Sequence, residues 1–146
     1  VENIVNTMII DAKKRHQILT YVKGGGTDFV FADKDRINQV VVNIVSNALK
    51  YTPESGNITV VSGQQEQSVY IKISDTGMGI PEKDLPHIFD RFYRVDKARS
   101  RKMGGTGLGL AIARNAVIVH RGAVKVHSEE GVGTVFTIRI PLKYIV

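Results

Sequence analysis

The sequence predicts a two-layer α/β sandwich in which a mixed, mostly antiparallel sheet carries helices on one face. Segments with apolar residues at helical spacing are interspersed with short segments in which apolar and polar residues alternate. The alternating segments in the C-terminal half flank short turns, which favours antiparallel pairing. No internal repeat or low-complexity linker divides the 146 residues, so we expect one domain over residues 1–146.

The N-terminal third is expected to contain a helix and two strands. Residues 1–14 have apolar side chains at helical spacing, and this helix could also serve as a junction to an upstream dimerisation domain. Residues 18–22 and 29–32 flank the glycines 24–26 and predict two strands joined by a turn.

A long helix is expected next. Asp33 or Asp35 can cap it, and it runs to about Tyr51, before Pro53 and Gly56 break the pattern. Its predicted core face consists of Ile37, Val41, Ile44, Val45 and Ala48.

The remaining elements follow from alternation and apolar content. Strands are expected at residues 57–62 and 68–74, a buried helix at 108–119, and strands at 123–127 and 134–141. Residues 76–107 show little periodicity apart from a short helix after Pro81, and loops of this length are uncommon without a function.

Composition restricts the classes of function. Zero cysteines exclude disulfides and thiolate metal sites, and no apolar run of about 18 residues is present. The chain starts with neither a methionine nor a secretory signal, so we expect a soluble piece of a longer protein. Twenty Lys and Arg against fourteen Asp and Glu give 20 − 14 = +6, which favours an anionic partner. Six of these cations lie within residues 91–102, either as a solvated basic loop or as an anion-binding segment.

The long helix has an unusual polar face. Gln39, Asn43, Asn47 and Lys50 lie opposite the predicted core face, with Tyr51 at the edge. Asparagine is a poor helix former, so two of them four residues apart suggest a role beyond solvation. Amide oxygens suit Mg²⁺, a hard cation that shares its coordination shell with phosphates and water. Tyr51 either stacks on a base or closes the helix end.

A second candidate site follows the strand at 68–74. Asp75 is expected to be partly buried, and a buried carboxylate requires a hydrogen-bond donor, which the exocyclic amine of adenine could supply. Gly77 and Gly79 would allow the backbone to approach a planar ring closely. The same residues are also ordinary turn formers.

The glycine-rich run at residues 104–109 leads directly into the predicted helix at 108–119. It fits neither the dinucleotide-binding pattern nor the P-loop, so those folds are set aside. Amides at a helix N-terminus can bind an anion, and Thr106 either caps the helix or contacts phosphate. The run is therefore expected to form a mobile lid over phosphates, or else an ordinary helix entry.

Taken in order, four motifs resemble the N, first G, F and second G boxes of bacterial sensor histidine kinases. They are Asn43-Ile-Val-Ser-Asn47-Ala-Leu-Lys50-Tyr51, Asp75-Thr-Gly-Met-Gly79-Ile-Pro, Phe89-Asp-Arg-Phe92-Tyr93-Arg94 and Gly104-Gly-Thr-Gly-Leu-Gly109-Leu-Ala. The resemblance covers about residues 30–141, and residues 89–101 are most similar to membrane-bound kinases related to a cell-wall regulator. It implies the Bergerat ATP-binding fold of gyrase, Hsp90 and MutL.

The resemblance also implies ATP and Mg²⁺ as cofactors and assigns roles to individual residues. Asn47 becomes a Mg²⁺ ligand with Asn43 as a second, Asp75 anchors adenine, and the glycine run forms the lid. The implied nucleotide-binding residues are Asn43, Asn47, Lys50, Tyr51, Asp75, Gly77, Gly79, Ile80, Arg94, Gly105, Thr106, Gly107, Leu108 and Gly109, and those implied in catalysis are Asn43, Lys50 and Arg94. The ATPase relatives carry a glutamate base where this chain has Asn43, and an amide cannot accept a proton from water.

The implied activity is transfer of the γ-phosphoryl group of ATP to a histidine. In the family that histidine is followed by an acidic residue and lies on a dimerisation helix, whereas His16, His87, His120 and His127 are not followed by one. We therefore expect the acceptor on an upstream dimerisation domain of the same protein and a response regulator as the downstream partner. The resemblance further implies a cytoplasmic domain of a membrane-anchored kinase. At Arg121, family members often have glycine.

Two rival functions remain open at this point. One is a regulatory nucleotide-binding module that has lost catalysis. The other is a basic nucleic-acid-binding domain, which would bind oligonucleotides with a steep dependence on salt. The order and completeness of the four motifs favour the kinase and no nucleic-acid partner.

Overall fold

A computed structural model describes residues 2–24, 34–65, 68–90 and 109–141. The elements in these ranges are α1 (Glu2–Lys14), β1 (Ile18–Lys23), α2 (Lys34–Tyr51), β2 (Asn57–Gln65), β3 (Ser68–Asp75), a 3₁₀ helix (Leu85–His87), α3 (Gly109–Val119), β4 (Ala123–Glu129) and β5 (Gly133–Pro141). No helix among these residues is long and apolar enough to cross a membrane.

The strands form one five-stranded sheet in the order β1-β2-β3-β5-β4. β1 runs parallel to β2, and the other three pairings are antiparallel. The mixed, mostly antiparallel sheet is confirmed. β3 is the central strand, and its last residue, Asp75, is paired with Ile58 on one side and Thr134 on the other.

One face of the sheet is covered by the helices. In β5 the buried residues Thr134, Phe136, Ile138 and Ile140 alternate with more exposed ones, as expected when a sheet packs on one side only. α2 packs against α1 and α3, while α1 contacts β1 and α3 contacts β4 and β5. The two-layer α/β sandwich is therefore confirmed.

α2 is the most deeply buried of the described helices. Val41, Ile44, Val45 and Ala48 of the predicted core face are buried, and Ile37 is partly buried. Fully or almost fully buried residues also include Val40 at 0% and Leu49 at 1%, which the projection onto one face leaves out. The buried part of the α2 surface is wider than the predicted core face, because α2 has a helix on each side as well as the sheet beneath it.

The element bounds follow the predictions closely, and one predicted pairing stays a prediction. The long helix begins at Lys34, and the two strands after it extend to Gln65 and Asp75. Residues 29–32, the expected partner of β1, lie outside the described residues. Among the described strands, β1 pairs with β2.

Candidate nucleotide-binding site

Asp75 lies at the end of the central strand, where three strands meet. Its Oδ1 accepts a hydrogen bond from the backbone N–H of Gly77 at 2.9 Å. Burial raises the pKa of the Asp75 carboxyl above its ordinary value of 3.8, and backbone hydrogen bonds from Gly77 and Thr134 oppose that rise. The predicted partial burial is confirmed, and this is an environment in which a ligand amine could compensate a desolvated carboxylate.

The turn after Asp75 is held by backbone hydrogen bonds to two other parts of the chain. The Met78 N–H donates to the Tyr51 carbonyl at 3.3 Å, and the Gly131 N–H donates to the Met78 carbonyl at 2.8 Å. The Ile80 N–H donates to the Ser128 hydroxyl at 2.8 Å. The turn therefore has the end of α2 on one side and the β4–β5 hairpin on the other.

Both glycines of this turn are required by the protein's own packing. Gly79 has φ +73°, and an added Cβ would lie 2.2 Å from the Glu129 carbonyl oxygen. At Gly77 a Cβ would lie 2.6 Å from the Tyr51 carbonyl oxygen. The protein's own packing thus gives one reason for these glycines, and the close approach of a planar ring to their backbone stays a prediction.

The polar face of α2 lies outside the core, as predicted. Gln39 is exposed, and Asn43, Asn47, Lys50 and Tyr51 are partly buried. The Asn43 amide is bonded at both ends: its Oδ1 accepts from Gln39 Nε2 at 2.7 Å and its Nδ2 donates to the Gly109 carbonyl at 3.1 Å. This second bond joins α2 to the first residue of α3, where the glycine run ends.

Phe89 brings the segment before residue 91 next to the core and to α3. Its ring is 6.4 Å from that of Phe136 in an edge-to-face arrangement, and the Arg114 guanidinium lies 5.7 Å from the Phe89 centroid. Phe89 and Gly109 are thus both positioned by contacts with the described helices and sheet.

Several predicted site residues lie outside the described residues. They are Arg94, Gly105, Thr106, Gly107 and Leu108, together with the basic residues from 91 to 102. Their roles and the expectation of a mobile lid remain predictions.

Three polar residues at this site were not predicted from the sequence. Thr134 is buried beside Asp75, and Ser128 bonds both Ile80 and Thr134. Thr52, directly after α2, is 5% exposed. The alternation of β5 could have revealed Thr134, because that residue falls on the buried side of the strand.

A Bergerat-type sandwich with a partly buried carboxylate at the end of its central strand defines a class of ATP-binding domains. The model of the family described as "Histidine kinase-, DNA gyrase B-, and HSP90-like ATPase" matches residues 32–144. The chain belongs to this family, for which ATP is the implied nucleotide.

Similar proteins are sensor histidine kinases. The chain is 53% identical over 117 residues to the sensor histidine kinase WalK of Bacillus subtilis (strain 168), a match that covers 79% of this chain and 19% of that protein. The nucleotide-free catalytic domain of histidine kinase ThkA is 29% identical with a TM-score of 0.81, and covers 97% of this chain and 88% of that one. ThkA in complex with the response regulator protein TrrA has a TM-score of 0.79 at 26% identity, with 97% of this chain and 39% of that one covered.

These likenesses confirm the predicted family. They also confirm the narrower similarity to the kinases related to a cell-wall regulator, which is WalK. The chain spans 19% of the length of the Bacillus subtilis WalK and 38% of that of the sensor-like histidine kinase SenX3 of Mycolicibacterium smegmatis. It therefore corresponds to one part of much longer proteins.

Proposed function

We propose that this chain is the catalytic and ATP-binding domain of a sensor histidine kinase, which binds Mg²⁺-ATP and transfers the γ-phosphoryl group to a histidine on a separate domain. The observation that carries the proposal is the Asp75 carboxylate, which is desolvated and fixed by backbone hydrogen bonds at the end of the central strand. A carboxylate in that setting accepts a hydrogen bond from the adenine amine with little reorganisation.

The polar face of α2 supplies the phosphate end of the site. Asn47 is the better candidate for a Mg²⁺ ligand, because both ends of the Asn43 amide are bonded within the protein. Asn43 then holds the start of α3, where backbone amides face the phosphates. Lys50 and Arg94 contribute positive charge, and Tyr51 lies beside the base.

Positioning and charge neutralisation carry the transfer in this proposal. A neutral imidazole has a lone pair available near pH 7, so no residue of this chain must remove a proton from the acceptor. When bound, Mg²⁺ would neutralise charge on the phosphates. The chain's own residues bind and orient the nucleotide: Asp75 at the base, Asn47 and Lys50 at the phosphates.

The histidines of this chain depart from the family's acceptor. His120 is buried and its Nδ1 is 2.8 Å from the Ala116 carbonyl, and His87 is followed by isoleucine. His16 and His127 are exposed but lack the acidic residue that follows the acceptor in the family. We therefore propose that the acceptor lies on an upstream dimerisation domain, that the partner is a response regulator and that the parent is membrane-anchored. The ThkA–TrrA complex and the WalK relatives support these partners.

The test combines the chain with a separately prepared dimerisation domain that carries an acceptor histidine, such as that of the similar WalK, and ATP labelled with ³²P on the γ-phosphate. Acid-labile label on that domain is expected, and its amount should drop at least tenfold for Asn47→Asp and Asp75→Asn, with Asp11→Asn on exposed α1 as the control. ATP binding without any labelled histidine would contradict the kinase and favour a regulatory nucleotide-binding module.

A further inference from the structure

Thr52 has a buried hydroxyl to which the described residues give no hydrogen-bond partner. The residue is 5% exposed, and its Oγ1 makes no hydrogen bond within the part of the chain that the structure describes. Buried polar atoms in native proteins are nearly always hydrogen-bonded, because leaving one unsatisfied costs free energy. A retained unpaired hydroxyl therefore calls for an explanation.

The hydroxyl and the Asp75 carboxylate both lie close to Gly77. A Cβ placed on Gly77 would lie 3.1 Å from Thr52 Oγ1 and 2.9 Å from Asp75 Oδ1. One of these oxygens belongs to the end of α2 and the other to the end of β3. The two groups therefore flank the turn that the proposed function assigns to the base.

The Thr52 side chain is fixed in place by contacts on its other sides. Its carbonyl oxygen accepts a hydrogen bond from Gln17 Nε2. Its Cγ2 methyl packs against Gly56: a Cβ added to Gly56 would lie only 2.2 Å from this methyl carbon. With the methyl held there, the hydroxyl stays directed to the Gly77 side.

We propose that Thr52 is a base-binding residue whose hydroxyl takes its hydrogen-bond partner from the base of the bound nucleotide. This inference rests on the proposed function, in which Asp75 accepts from the base amine. A hydroxyl beside that carboxylate can donate to a ring nitrogen, directly or across one water. The Asp75 carboxylate and a donating hydroxyl beside it complement the amine and ring nitrogen of a 6-aminopurine, whereas the 6-carbonyl of guanine would face the Asp75 carboxylate acceptor to acceptor.

The experiment measures the affinity of the whole chain for ADP, with Mg²⁺ in excess, by isothermal titration calorimetry. Thr52→Val keeps the shape and removes the hydroxyl, and about tenfold weaker binding is expected, as for one lost hydrogen bond. Thr52→Ser restores the hydroxyl and should bind within about twofold of the unsubstituted chain. Thr59→Val is the matched control, because Thr59 lies between the buried Ile58 and Val60 and faces the opposite side of the sheet.

The stability of the variants without nucleotide separates a ligand role from a structural one. Because the hydroxyl has no partner among the residues that the structure describes, Thr52→Val should melt at the same temperature as the unsubstituted chain or higher. Unchanged ADP affinity in Thr52→Val would overturn the proposal, and so would equal weakening in Thr52→Val and Thr52→Ser. Failure of the unsubstituted chain to bind ADP would instead overturn the proposed function, and with it this inference.

Discussion

At the scale of single residues, the partial burial that suits Asp75 to its proposed role in nucleotide binding also lowers the stability of the fold. Burial raises the pKa of its carboxyl above 3.8, which means that the folded state binds the proton more tightly than the unfolded state. The stability contributed by the proton is complete below the unfolded pKa and is lost as pH rises through the folded pKa. At neutral pH the ionised Asp75 therefore lowers the free energy of unfolding.

Asp75→Asn is expected to raise the melting temperature of the nucleotide-free chain at pH 7 and to weaken ADP binding at least tenfold. The amide oxygen can still accept from Gly77, but its NH₂ group meets the base amine donor to donor. Thermal unfolding across pH, together with ADP titration, measures both effects. The difference in melting temperature should shrink as the pH falls towards 3.8. A variant less stable than the unsubstituted chain at pH 7 would contradict the role given to desolvation.

Arg121 occupies a position that favours glycine. Its φ is +61°, in the left-handed region that costs a residue with a Cβ about 1–2 kcal/mol. Arg121→Gly should therefore stabilise the chain by about 1 kcal/mol, after the greater freedom of glycine in the unfolded state is counted. Urea unfolding measures this change. Arg114→Gly, inside α3, is the comparison and should destabilise by about 1–2 kcal/mol, because it lowers helix propensity and removes the contact with the Phe89 ring. A loss of stability in Arg121→Gly would show that the side-chain contacts of Arg121 outweigh the strain.

At the scale of elements, periodicity alone predicted α2 and the paired strands, because each of them has one face on the core. It could not predict the partner of β1, since parallel pairing with β2 depends on packing between distant segments. Asp75 was predictable because it follows an alternating strand. Thr52 was not, since its burial arises only where the end of α2 meets Gly56 and Gly77.

Gln17 connects the turn between α1 and β1 to the end of α2. Its Nε2 donates to the carbonyls of Leu49, at 2.8 Å, and of Thr52. Gln17→Met removes both bonds within a buried setting and should lower the free energy of unfolding by about 1–3 kcal/mol.

Chemical denaturation checks that value against Gln39→Met, which also loses a side-chain amide bond but at an exposed position. Gln39→Met should lower the free energy of unfolding by less than about 0.5 kcal/mol, because water replaces the lost hydrogen-bond partner. Equal losses in the two variants would mean that the Gln17 bonds contribute little to holding the end of α2.

At the scale of the whole molecule, the candidate site is assembled from segments far apart in the sequence. The end of α2, the turn after β3 and the β4–β5 hairpin meet only because the sheet places Asp75 opposite Thr134 and the helices lie on one face. The unfolded chain has no such site. Nucleotide binding must therefore stabilise the folded state by mass action.

ADP at about 100 times its dissociation constant should add about 2.7 kcal/mol to the free energy of unfolding. For a chain of 146 residues this corresponds to a rise in melting temperature of roughly 8 °C, at about 3 °C per kcal/mol. GDP at the same concentration should produce a much smaller rise, because its 6-oxo group is an acceptor that faces the Asp75 carboxylate. Differential scanning fluorimetry with both nucleotides measures the difference. Equal shifts for ADP and GDP would mean that the phosphates alone hold the nucleotide, and that the Asp75 turn does not select the base.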